Sequence, residues 1–217
     1  METKNITSKT KTHYSYRRVG NHYVLYEDDK VHRQPHGRIV STKHEDLAAK
    51  LVKALEKGEK YTVAQSLLCY HYTYCNYRRT SLKIIREQLV GEMKYEHFLY
   101  DDYLMFGQDS AVRQSIAVYM SENYEWEIKS FNRYQLVAVQ VVAYCYSSWM
   151  LPMHIVDHVI HEMKNRPYHT VKHEFLQSVE DFFLLTCDDE DDAKTFTAYR
   201  RRLSKTIDTF VYYFSLK

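Results

Sequence analysis

Residues 22–58 read HYVLYEDDKVHRQPHGRIVSTKHEDLAAKLVKALEKG. The opening reads as an alternating extended segment (His22, Tyr23, Val24, Leu25, Tyr26), three acids follow (Glu27, Asp28, Asp29), and a second extended run covers Lys30 to Arg33. Period-two alternation on both sides of a short polar break predicts a β-hairpin. Pro35 and Gly37 interrupt the chain before Ile39 and Val40, which read as one more extended segment.

A helix comes next. Leu47, Ala48, Leu51, Val52 and Leu55 recur at the spacing of one helical face, and Lys57 with Gly58 ends the pattern. Thr42 is expected to cap the first amides while Glu45, three residues on, reaches back to the cap. The N-terminal part therefore pairs a small sheet with one amphipathic helix.

The whole chain has 217 residues, enough to bury about two-thirds of its unfolded surface without staples. Its formal charge of +2, from 30 basic and 28 acidic residues, calls for neither nucleic acid nor an anionic membrane. Only five Gly and three Pro stand beside 21 Tyr and nine Phe, a balance of few tight turns and long aromatic-packed helices. The fold class expected is α+β: a flexible tail over 1–12, a β-hairpin/helix domain over 13–60, and a larger mainly helical domain over 61–217.

Cys69, Cys75, Cys145 and Cys187 form no CxxC pair and sit among apolar or aromatic neighbours, which suits free thiols in a reducing compartment. No run approaches the roughly 20 apolar residues a membrane span needs, and Met1 to Thr12 lacks an apolar signal core. The expected location is intracellular, without membrane insertion.

Along the helical part, residues 61–77 are ambiguous. Tyr70, Tyr72 and Tyr74 alternate as in a strand, whereas Leu67, Cys69, Tyr70, Thr73, Tyr74 and Tyr77 fit a helix face; the helix is preferred, with the rings as core rather than as a base-stacking platform beside Arg78 and Arg79. Thr80 or Ser81 caps a helix carrying Leu82, Ile85 and Leu89, and Asp109 or Ser110 starts another with Val112, Ile116 and Tyr119 inward. Apolar residues are so dense over 134–150 that this helix must be hidden nearly all round.

Pro152 suits the first turn of a helix over 153–164, which bears His154, His158 and His161; His169 and His173 follow on the next one. Zinc would ask for two such imidazoles, a third ligand and a general base as in HExxH, which is absent, so no metal and no cofactor is assigned. The same region, with Asn165-Arg166-Pro167 as the turn, also reads as a helix-turn-helix within 133–185.

Seven acids fall within 180–192, and Lys194, Arg200, Arg201, Arg202 and Lys205 follow at once. Acids before a helix and bases within it complement the helix dipole. The helix expected over 193–215 carries Phe196, Tyr199, Leu203, Ile207, Phe210 and Phe214 on one face.

Several of these stretches, in order, resemble one family. His13-Tyr14, Val24-Leu25, Asp29-Lys30-Val31, Pro35, Gly37, Ile39 and Leu47-Ala48 are similar to the opening of the F1-ATPase assembly chaperones that receive the ATPase alpha subunit. Residues 66–76, the run from Glu96 to Asp101 with Tyr100, and Arg113-Gln114 with Ala117 and Tyr119 resemble its later elements. In the last one, matching Ala193 to the family's Ala puts Asp192 on its Glu, Glu190 on its Asp and Cys187 on its Trp, which is lost here together with the neighbouring Gly.

The resemblance implies a two-part α+β molecule, non-catalytic, that shields the unassembled F1 alpha subunit. It implies Glu190, Asp191, Asp192, Tyr100, Arg113 and Gln114 as partner-binding residues, a monomeric protein, and a bacterial cytoplasm or mitochondrial matrix as its location. No catalytic residue is assigned: nucleophile elbow, phosphate loop, dinucleotide fingerprint and paired-Cys motif are all missing from the sequence. The alternative reading is a helical DNA-binding transcriptional regulator.

Overall fold

A computed structural model of the protein describes residues 12–90, 110–145, 150–184 and 190–217, and side chains at these positions except 110–117, 144–145, 150–152, 182–184 and 190–193. The architecture is α+β, a small antiparallel sheet followed by helices. The chain divides into two compact units, residues 1–59 and 60–217. The tail expected over 1–12 lies, apart from Thr12, outside the described residues.

In the first unit, β1 (Tyr14–Val19) and β2 (His22–Glu27) pair antiparallel from Tyr14 opposite Glu27 to Val19 opposite His22. Gly20, at φ 58°, takes the left-handed position that a two-residue hairpin turn needs. The other edge of β2 is shared. β3 (Lys30–Val31) pairs with Tyr26 and Glu27, and β4 (Ser41–Thr42) pairs with Tyr23 and Val24. The junction between them is closed through Leu25, whose N–H donates to Val40 at 3.0 Å and whose carbonyl accepts from His32 at 2.8 Å.

The acidic turn between β2 and β3 places both Asp28 (φ 45°) and Asp29 (φ 66°) in the left-handed region, as a type I′ turn requires. Short carboxylate side chains make that tolerable by bonding locally. Asp28 exchanges hydrogen bonds with the backbone of His13, through its N–H (2.9 Å) and its Oδ1 (2.8 Å), and Asp29 pairs with Arg17. The expected hairpin is thus present, but its first strand is the central strand of a sheet whose edge strand, β1, the sequence pattern did not announce.

α1 (Glu45–Glu56) buries Leu47, Ala48, Leu51 and Ala54 against β1, β2 and β4. Its start differs from the expected capping box. The N-cap is His44, without a side-chain cap. Thr42 is a strand residue opposite Tyr23, so its hydroxyl reaches only the amide of His44, at 3.1 Å. The carboxylate of Glu45 turns to the sheet, accepting from the phenols of Tyr16 (3.3 Å) and Tyr23 (3.0 Å).

The second unit contains α2 (Leu67–Tyr77), α3 (Leu82–Leu89), α4 (Ser110–Ser130), α5 (Arg133–Cys145), α6 (Met150–Asp157), α7 (Tyr168–Leu184) and α8 (Glu190–Phe214). α5 is central: every residue from Leu136 to Ala143 is buried, and it touches α2, α3, α4, α6 and α8. α2 is hidden almost as completely, with Tyr70, His71, Tyr72, Cys75 and Tyr77 all buried, so residues 61–77 resolve to a helix from Leu67 onward. Its Ser66 cap accepts from the N–H of Leu68 at 3.3 Å.

Aromatic pairs fasten these helices. Tyr74 stacks on Tyr134 (4.4 Å, 8°), while Tyr213 of α8 packs against both Tyr70 (5.3 Å) and Tyr134 (5.4 Å). Such pairs contribute about 0.5–1.5 kcal/mol each beyond buried area. His71 Nδ1 and the Tyr213 hydroxyl share a buried hydrogen bond at 3.1 Å. Arg133 donates to the carbonyls of Tyr77 and Thr80, tying the α2–α3 connection to α5.

α3 is capped by Ser81, which accepts from Ile84 N–H, and buries Ile85 and Leu89 as expected. α6 runs into a π turn over His158–Glu162, closed by Met163 N–H on the His158 carbonyl at 2.9 Å. α8 begins at Glu190, three residues before the expected start, and buries Phe196, Leu203, Ile207, Phe210 and Tyr213.

Candidate protein-binding surface

Pairing register sorts the residues of the N-terminal sheet onto two faces. Leu25, opposite Tyr16, belongs to the face covered by α1 and is fully buried. The other face carries Ser15, Arg17 and Val19 on β1, His22, Val24 and Tyr26 on β2, and Val31 beside Tyr26 on β3. Arg33 and Ile39, bridged to each other beyond the end of β3, continue that side. Val19 is 54% exposed, Val31 38% and Ile39 40%, while Val24 and Tyr26 are half-buried.

Two arginines share this face with the apolar residues. Arg17 lies with its guanidinium 4.6 Å over the Tyr26 ring and is held by Asp29, and Arg33 donates to the Gly37 carbonyl at 2.8 Å. Two oriented guanidinium groups flanking exposed aliphatics can receive a partner patch of opposite charge around an apolar centre. Elsewhere, Val118 (50%) and Trp126 (84%) are exposed large hydrophobics on α4. The alternation that reveals the outward face is present in Ser15-Arg17-Val19 and His22-Val24-Tyr26, although only the second strand was read from it.

The residues assigned from the family resemblance are not brought together among the described side chains. Tyr100 lies outside the described residues; Arg113 and Gln114 stand on α4, and Glu190, Asp191 and Asp192 open α8, with side chains outside the described set. Of the described acids nearby, Glu180 pairs with Arg200 at 3.2 Å and Asp181 accepts from Gln177 at 2.9 Å.

The histidines go separate ways. His154 is exposed, His158 is half-buried with its ring edge-on to Phe175 at 4.7 Å, and His161 stacks on Tyr124 at 5.5 Å. The π turn accounts for part of this, because an i→i+5 step breaks the angular register that spacings of three and four presuppose. Among the described residues no three His, Cys, Asp or Glu side chains form a metal-binding group. Burial lowers the His158 pKa below its ordinary value, against the opposing pull of Glu162 and Asp157.

The tyrosines of 61–77 pack into the interior and against one another, with no exposed stacking platform among Tyr70, Tyr72 and Tyr77. In the helix-turn-helix reading the second helix is α7, and the cations at hand there are engaged. Arg166 holds Glu162 (3.0 Å) and Glu174 (2.5 Å), and Lys172 holds Asp208 (2.6 Å). Cys69 and Cys75 are buried and in no disulfide. Among the described residues no helix is long and apolar enough to cross a membrane.

No family model matches the sequence, and neither a curated protein nor a solved structure matches it at a significant level.

Proposed function

We propose that this chain is a non-catalytic assembly chaperone that takes up the unassembled alpha subunit of the F1-ATPase. The observation that carries the reading is the outward face of the N-terminal sheet, where Val19, Val31 and Ile39 are exposed alongside Arg17 and Arg33. A chaperone of this kind needs exposed apolar surface to cover part of a client and charge around it to make release reversible. The sheet-then-helices order supports the same reading, since the family resemblance implies it. Glu190, Asp191, Asp192, Tyr100, Arg113 and Gln114 are the further contacts that the resemblance suggests, in a bacterial cytoplasm or mitochondrial matrix.

Co-expression with the F1 alpha subunit of the same organism tests it. The expected outcome is a soluble 1:1 complex on size exclusion, without ATP turnover, weakened by Val31→Glu or by Asp192→Lys. Alpha that stays insoluble and is not retained would overturn the reading. A regulator that binds DNA is the second reading, favoured by the exposed Arg201 and Arg202 of α8. It predicts DNA affinity that falls steeply with salt and differs between sequences.

A further inference from the structure

β1 is an edge of the N-terminal sheet, and the phase of its ladder shows which backbone groups that edge offers. Asp28 N–H donates to the His13 carbonyl at 2.9 Å, so the hydrogen-bonded pairs running up the hairpin are His13–Asp28, Ser15–Tyr26, Arg17–Val24 and Val19–His22. Leu25 fixes the same phase from the other side, because its N–H and carbonyl turn away from β1, to Val40 and His32. Tyr16, opposite Leu25, therefore directs its own N–H and carbonyl away from β2, as do Tyr14 and Arg18. Among the described residues no strand pairs with that side of β1.

An exposed edge is ordinarily guarded by a proline, a bulge or a charge standing over it. β1 holds neither Pro nor Gly, and its register runs one-to-one from Tyr14 to Val19 without a bulge. Its two charges are drawn off the edge. Arg17 lies over the Tyr26 ring of β2 at 4.6 Å and is held by Asp29, and Arg18 Nε donates to the Gly20 carbonyl at 3.3 Å. An extended backbone fits such an edge, and a second copy presents one of equal length. An antiparallel two-fold through Tyr16 sets Tyr14 of each copy against Arg18 of the other and Ser15 against Arg17, so no like charges meet. A two-fold through Arg17 would oppose two arginines, and one through Ser15 would leave Arg17 to Val19 beyond the end of the facing strand.

We propose that two copies of this chain pair β1 against β1 about a two-fold at Tyr16, joining their sheets into one. Tyr14, Tyr16 and Arg18 of each copy then bond Arg18, Tyr16 and Tyr14 of the other through the backbone. The contact is one strand long, so the dimer is weak. Pairing in the plane of the sheet leaves the outward face of each copy open. The dimer replaces the monomer expected from the sequence, and it does not depend on which client the protein takes.

Sedimentation velocity of the full chain alone, at rising protein concentration, tests the proposal. The wild type is expected to move towards dimer. Arg18→Pro removes an N–H that faces the open edge and spares the β1–β2 ladder, and should weaken association by a factor of about ten or more with unchanged circular dichroism. Arg18→Ala keeps that N–H and should still dimerise. Register is read by oxidative cross-linking. Positions 15 and 17 of opposite copies form a non-hydrogen-bonded pair with Cα atoms about 4.5 Å apart, within disulfide reach. A mixture of Ser15→Cys and Arg17→Cys chains should therefore yield a covalent dimer that neither variant, nor the wild type, yields alone. A wild type that stays monomeric, an Arg18→Pro chain that associates as the wild type does, an Arg18→Ala chain that fails equally, or a mixture that does not cross-link would each overturn the proposal. Because no client is present, failure here leaves the chaperone reading intact.

Discussion

Tyr23 donates its phenolic hydrogen to Oε2 of Glu45 at 3.0 Å. Tyr16 reaches the other oxygen of the same carboxylate, so the first residue of α1 is fastened to two strands of the sheet. Both phenols are shifted upward, that of Tyr23 chiefly by its hydrogen bond to Glu45, that of Tyr16 first by burial and then by the Glu45 charge. Glu45→Gln is therefore expected to bring the ionisation of Tyr23 down further than that of Tyr16. Ring-carbon NMR across an alkaline titration reads both; a Tyr23 titration unmoved by the substitution would refute the assignment.

Alkaline pH should unfold the helical unit by a definable route. Burial, with Asp157 at 3.2 Å, pushes Tyr119 up to about 12, and burial with Asp208 also raises Tyr168. A group that holds its proton more tightly when folded contributes stability present below its unfolded pKa near 10 and lost as pH rises through the folded value. Melting temperature should hold to about pH 10 and fall above it. Tyr119→Phe should flatten part of that fall.

His158 works in the opposite direction. Its folded pKa lies below the ordinary value of 6.5 because burial disfavours the imidazolium. Its contribution is present above 6.5 and is lost as pH falls from there through the lower folded value. Between neutral and mildly acid pH, His158→Gln should lose less stability than the wild type, as followed by chemical denaturation at each pH.

Truncation in the two cores should cost alike, and at the surface almost nothing. Leu51→Ala under the sheet and Leu136→Ala on α5 each remove a fully buried side chain, at an expected cost of about 2–5 kcal/mol. Trp126→Ala, at a residue 84% exposed, should stay within about 0.5 kcal/mol of the parent. Urea titration with separate probes for each unit measures these.

The features most legible in the sequence were those fixed by local chemistry. Ser81 ahead of Leu82, Ile85 and Leu89 specifies α3, and the dense aliphatics around Val139 specify a helix hidden on every side. β1 was harder, because Arg17 and Arg18 interrupt its apolar alternation and the strand is defined by pairing with β2. Thr42 was misread as a cap since nothing local says that it is held in a strand opposite Tyr23. His154, His158 and His161 looked convergent only on an ideal helix, which the π turn breaks. The outward sheet face was missed for the same reason as β1, since a face exists only once both strands are in register.

The two units also differ in when they can exist. Every pairing of the N-terminal sheet and its helix closes within residues 13–56, so that unit can fold as soon as those residues are free. The helical unit cannot finish early: His71 waits for Tyr213, 142 positions later, and Asn132 waits for the carbonyl of Leu216, 84 positions later. During synthesis α2, with its tyrosines and thiols, must remain without its final cover until α8 has emerged. This protein is thus itself a nascent chain with a long vulnerable interval, and its yield should depend on elongation rate over the stretch between α2 and α8.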